Sequence, residues 1–109
     1  MLMIQKIYKV FQEKLPKEQF ELSFEGINFL ICFKDFGNDI KILVEENFCI
    51  VGAARKTFAI HYEDMPLHVR VSRIFDIIVF LKAFAHYMES YVINNTPKYG
   101  LVKLIQGDK

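Results

Sequence analysis

From Phe20 to Phe33 the chain reads Phe-Glu-Leu-Ser-Phe-Glu-Gly-Ile-Asn-Phe-Leu-Ile-Cys-Phe, and this stretch decides the fold class. Phe20, Leu22 and Phe24 alternate with Glu21, Ser23 and Glu25, the period-two pattern of a strand with one wet face. Gly26 interrupts the alternation and marks a turn. From Ile27 to Lys34 both faces are apolar except at Asn28, as expected of a strand at a sheet centre or covered on each side.

Toward the C-terminus the same grammar repeats. Phe36-Gly37-Asn38-Asp39 turns the chain into Ile40 to Glu45, where Ile40, Ile42 and Val44 share a face. Phe48 to Val51 and Thr57 to Tyr62 read as two further strands joined through Gly52 to Lys56. Between Glu46 and Phe58 a helical turn is the alternative, because Ala53, Ala54, Arg55 and Lys56 are good helix formers. A last alternation sets Leu67, Val69 and Val71 opposite His68 and Arg70. These segments predict an antiparallel meander of about five to six strands, since turn-sized gaps leave no room for βαβ crossovers.

Helices flank the meander. Ile4, Ile7, Tyr8, Val10, Phe11 and Leu15 recur at helical spacing against Gln5, Lys6, Lys9, Gln12, Glu13 and Lys14, so an amphipathic helix runs to about Pro16. From about Ser72 to about Ile93, the residues Ile74, Ile77, Ile78, Leu81, Phe84, Ala85, Met88 and Val92 define a broad buried face. Ser72, Asp76, Lys82, His86, Glu89 and Ser90 occupy the other arc, and Phe75 and Val79 interrupt it. Asn94-Asn95-Thr96-Pro97 predicts the helix end, and Tyr99 to Ile105 predicts an edge strand or a docked tail. The expected architecture is a single α+β domain over residues 1–109, with the long C-terminal helix packed on the sheet.

Composition narrows the function classes. A chain of 109 residues, 52% hydrophobic and 15% aromatic, has enough apolar material to bury its own core without a metal or disulfide staple. A net charge of +1 provides no global field for nucleic acid or anionic membrane, so any such binding requires a local patch. Cys32 and Cys49 lie in apolar runs and read as buried free thiols. Gln5 and Lys6 interrupt the opening Met-Leu-Met-Ile before a signal-peptide core can form. Asp76, Lys82, His86 and Glu89 make the long helix costly in hydrocarbon, and a cytoplasmic location is expected.

Motifs for chemistry are weak. Gly52-Ala53-Ala54-Arg55-Lys56-Thr57 has Arg55 where a phosphate loop needs glycine before its lysine. Cys32, Cys49, His61 and His68 lack the short paired spacing of a zinc site, and neither Ser72 nor Ser90 stands in a nucleophile elbow that would join His61 and Asp64 in a triad. A non-enzymatic protein without metal or cofactor is expected. Arg55, Lys56, Arg70 and Arg73, interleaved with Phe58 and Tyr62, are candidate nucleic-acid contacts, since cations beside aromatics hold phosphates and stack bases. If Phe58, Ile60 and Tyr62 point inward, no such platform remains.

Asp35, Asp39, Glu45 and Glu46 make the neighbouring hairpin acidic, and a bipolar surface suits docking to a protein. Phe75 and Val79, with Lys82 and His86 beside them, form the candidate protein interface, unless the N-terminal helix or the tail covers that stripe. The leading expectation is a protein-binding module, either a homodimer or a modulatory subunit of a larger partner. A single-stranded nucleic-acid binder is the alternative. An apolar-ligand carrier, with its cavity between the long helix and the sheet, is the third.

Overall fold

A computed structural model describes residues 1–53 and 56–95, with side chains outside 37–39 and 85–95. Helix α1 (Met3–Lys14) buries Ile4, Ile7 and Phe11. At its start the Leu2 N–H donates to Gln5 Oε1 at 2.9 Å, satisfying one of the donors a helix N-terminus leaves free. Leu15 ends it in an extended conformation, immediately before Pro16.

Strands β1 (Phe20–Glu25), β2 (Asn28–Phe33), β3 (Ile40–Val44), β4 (Phe48–Ala53) and β5 (Lys56–His61) form one antiparallel sheet in the order β1-β2-β3-β4-β5. The turn from β1 to β2 needs Gly26, whose φ of 67° lies in the left-handed region; an added Cβ would meet nothing within 4 Å, so backbone conformation alone imposes the glycine. A 3-10 turn (Lys34–Asp39) links β2 to β3. The stretch from Glu46 to Phe58 forms β4 and the start of β5, and its described part contains no helical turn.

Helix α2 (Leu67–Asn95) follows directly. Leu67 to Val71 is therefore not a sixth strand but the first turn of α2, which begins five residues before the expected Ser72. Five residues that alternate apolar and polar satisfy either period. Pro66 stands at the N-cap, where its carbonyl accepts from the N–H groups of Val69 and Arg70, each at 3.1 Å, and its missing N–H would cost a strand a ladder bond but costs the helix none.

Both helices lie on one face of the sheet. Register aligns Phe24, Phe29, Val44, Cys49 and Ile60 in one row and Leu22, Ile31, Ile42, Val51 and Phe58 in the next. The central members of these rows are fully buried with Ile4, Ile7 and Phe11 of α1 and Ile74, Ile78 and Leu81 of α2. Tyr8 packs on Phe24 and Phe29, at ring separations of 4.6 and 5.2 Å, which places α1 over β1 and β2. Leu81 is buried as expected, but Phe84 is only half-buried and stacks on Phe80 at 6.4 Å, at the margin of the buried face.

Candidate functional site

Each predicted contact residue has a definite position. Phe75 is half-buried: its ring lies 4.7 Å from that of Phe11, so it seats α1 against α2. Val79, one turn further, is 66% exposed. Lys82 is half-buried; its ammonium donates to Gln19 Oε1 and sits 5.5 Å from the Phe20 ring centroid, tying α2 to the start of β1. The His86 side chain lies outside the described residues.

The described basic candidates are not brought together as free cations. Arg70, expected as a phosphate contact, is instead 6% exposed. Its Nε donates to the Met65 carbonyl at 2.6 Å, and Nη1 donates to the Glu46 carbonyl and, at 3.2 Å, to Asn47 Oδ1. A guanidinium occupied by the chain's own loop is withdrawn from any ligand. Lys56 and Arg73 are exposed, and Arg55 lies outside the described residues. Tyr62 is buried, with its O–H shared between the carbonyls of Glu45 at 2.7 Å and Phe48 at 2.9 Å. Burial raises its pKa far above the usual phenol value.

Phe58 behaves differently from Tyr62. It lies opposite Val51 on the helix-bearing face, yet is 44% exposed, because the helices do not extend fully over β5. Lys56 on the same face is exposed and Ile60 is half-buried. The flank of α2 that carries Ile77, Phe80 and Phe84 points away from Phe75 and Lys82, and so away from α1 and β1 and toward the β5 side of the sheet. Phe80 is 61% exposed. Phe80 stands one turn before Phe84, the spacing that marks the two as one helical flank in the sequence.

The outer edge of β5 lies just beyond Phe58. The Tyr62 N–H donates inward to the Asn47 carbonyl at 2.9 Å, and antiparallel pairing alternates the direction of backbone groups, so Lys56, Phe58 and Ile60 also bond toward β4. Thr57, Ala59 and His61 therefore direct their N–H and C=O groups outward. Among the described residues no strand pairs with that edge. On the face opposite the helices, Leu30, Leu43, Ile50 and Ala59 stand in register across four strands as an apolar row.

Other chemistry finds little support. Among the described residues no group of three or more His, Cys, Asp or Glu side chains could hold a metal ion, and no helix is long and apolar enough to cross a membrane. Burial raises the pKa of Cys32, and that of Cys49 to about 11, which disfavours the nucleophilic thiolate in both. Two clefts, of about 260 and 430 Å³, lie between α1 and β1 and between α1 and α2. The space between α2 and the sheet, expected to hold any apolar ligand, is filled by Ile74, Ile78, Leu81, Ile31, Ile42 and Val51. No family model matches this chain, and no curated protein or solved structure shows significant similarity to it.

Proposed function

We infer that this chain is a non-enzymatic protein-binding module that docks through the exposed Phe80 of α2 and the outer edge of β5, which is unpaired among the described residues. The supporting observation is the exposure of two aromatic rings, Phe58 and Phe80, together with an uncharged stretch of edge strand. Phe58 on β5 and Phe80 on α2 are both exposed aromatic rings, and the interior of β5, Thr57 to Ile60, carries no charge. Isolated exposed apolar residues are ordinary, but Phe58 lies on a strand whose outward backbone groups are unpaired among the described residues, which combines two modes of protein recognition. The interface expected around Phe75 moves accordingly toward Phe80.

Affinity capture from the native cell with the full chain and with Phe80→Glu tests this reading. A partner, or a second copy, held by the unmodified chain and lost with the variant, while thermal unfolding stays unchanged, is the expected result. Retention of the same partner by Phe80→Glu overturns the assigned surface.

The nucleic-acid reading retains one favourable observation, the exposed Phe58 ring beside exposed Lys56. It loses Arg70, and a single described aromatic with few free cations is a weak platform compared with the row of stacking rings that holds single strands elsewhere.

A further inference from the structure

We propose that the occupant of the β5 edge is a second copy of this chain, paired antiparallel through β5 about a two-fold axis at Ala59. The proposal rests on the docking reading above and identifies its partner. Backbone parity, edge chemistry and charge support it independently.

Parity comes first. Thr57, Ala59 and His61 turn their backbone groups outward, so a dyad at Ala59 lets Ala59 exchange N–H···O=C bonds with the partner's Ala59, and Thr57 with the partner's His61. Phe58 then stands opposite the partner's Ile60 on the helix-bearing face, an aromatic against a β-branched side chain. The apolar row Leu30, Leu43, Ile50 and Ala59 runs on through the dyad into the same row of the second copy. Both copies keep their helices on the same side of the joined sheet.

Edge chemistry distinguishes β5 from β1. The other edge strand carries Glu21 and Glu25 on its open face, and charges of this kind oppose edge-to-edge pairing. β5 carries one such charge, Lys56 at its start, and none from Thr57 to Ile60.

Charge sets the direction. Exposed Lys56 stands at the start of β5, and exposed Glu63 and Asp64 stand just beyond its end. Antiparallel pairing brings Lys56 of each copy alongside the partner's Glu63 and Asp64, whereas parallel pairing would align like with like.

Sedimentation equilibrium across a concentration series, on the full chain, tests the proposal. The unmodified chain is expected to show a reversible monomer–dimer equilibrium. Ala59→Pro removes an outward N–H that β4 does not use, a position where an edge strand tolerates proline, and should raise the dimer dissociation constant by about tenfold or more. Lys56→Glu should weaken the dimer without touching the backbone, and adding Glu63→Lys to it should restore association; this pair decides the matter if the proline variant fails to fold. A dimer indifferent to Ala59→Pro and to Lys56→Glu overturns the β5 interface. A chain that stays monomeric throughout overturns self-pairing alone, and a different partner captured through Phe80 would then leave the docking reading standing. Loss of both results removes both.

Discussion

Arg70 and Tyr62 brace one loop from two sides. The Arg70 guanidinium carbon lies 5.7 Å from the Tyr62 ring centroid, and the two side chains donate into the backbone carbonyls of Glu45, Glu46 and Phe48. The start of α2 is thereby fastened to the β3–β4 connection, which the chain left 24 residues earlier. Removing the guanidinium leaves buried carbonyls without donors, so Arg70→Ala should cost about 3 kcal/mol in urea denaturation. Arg70→Lys should recover little, because an ammonium cannot reproduce the fork. Tyr62→Phe, which removes only the hydroxyl, should cost about 1–2 kcal/mol.

Phe75 and Phe80 separate folding from docking. Phe75 is held between α2 and Phe11, so Phe75→Ala should cost about 2 kcal/mol, less than a fully buried ring because one side remains exposed. Phe75→Glu should detach α1, read as lost protection of the α1 amides in hydrogen exchange. Phe80→Glu should leave stability within about 0.5 kcal/mol, the ordinary range for a surface change. Equal destabilisation by both glutamates would show that Phe80 is a core residue.

The meander was legible because its strands alternate over at least five residues and are separated by clear turn residues. Leu67 to Val71 was misread because five residues cannot distinguish a period of two from one of 3.6, and the adjacent Pro66 favours the helix. Phe75 was visible as an anomaly on a polar arc, but its cover comes from α1, more than sixty residues away in the chain. Arg70 was read as a free cation because its acceptors are mostly backbone carbonyls, which leave no trace in side-chain patterning. Around Phe80 apolar residues extend across most of the helix circumference, so periodicity locates the core there without identifying the flank left open. Beyond residue 95 the expected strand or tail from Tyr99 to Ile105 lies outside the described residues.

Alkaline pH should weaken the fold through Cys49. Its thiol titrates at 9.0 when unperturbed and at about 11 in the folded chain, where burial disfavours the thiolate. The unfolded chain therefore releases its proton first as pH rises. Stability from this group is complete below pH 9.0 and is lost progressively up to about 11. Tyr62, also raised by burial, adds a loss of the same sign at higher pH. Urea midpoints measured from pH 7 to 11 should fall, and Cys49→Ala should flatten the earlier part of the decline. An unchanged slope in that variant would assign the decline to other groups.

Lys56 and Arg73 provide the sharpest test between the two binding classes. Both are exposed, whereas Arg70 is occupied by its own loop. For single strands each cation that contacts a phosphate contributes about 0.7 to the logarithmic salt slope. If protein docking is the function, the unmodified chain should show no salt-sensitive oligonucleotide binding even at low ionic strength, where attraction is least screened. Under the nucleic-acid reading, fluorescence anisotropy with a labelled single strand should instead give a steep slope, which Arg55→Ala with Lys56→Ala flattens by about one unit or more. Tight binding with that response would replace the docking assignment. Flat, weak binding would leave Lys56, at the start of β5, to the proposed pairing with the acidic turn of a second copy.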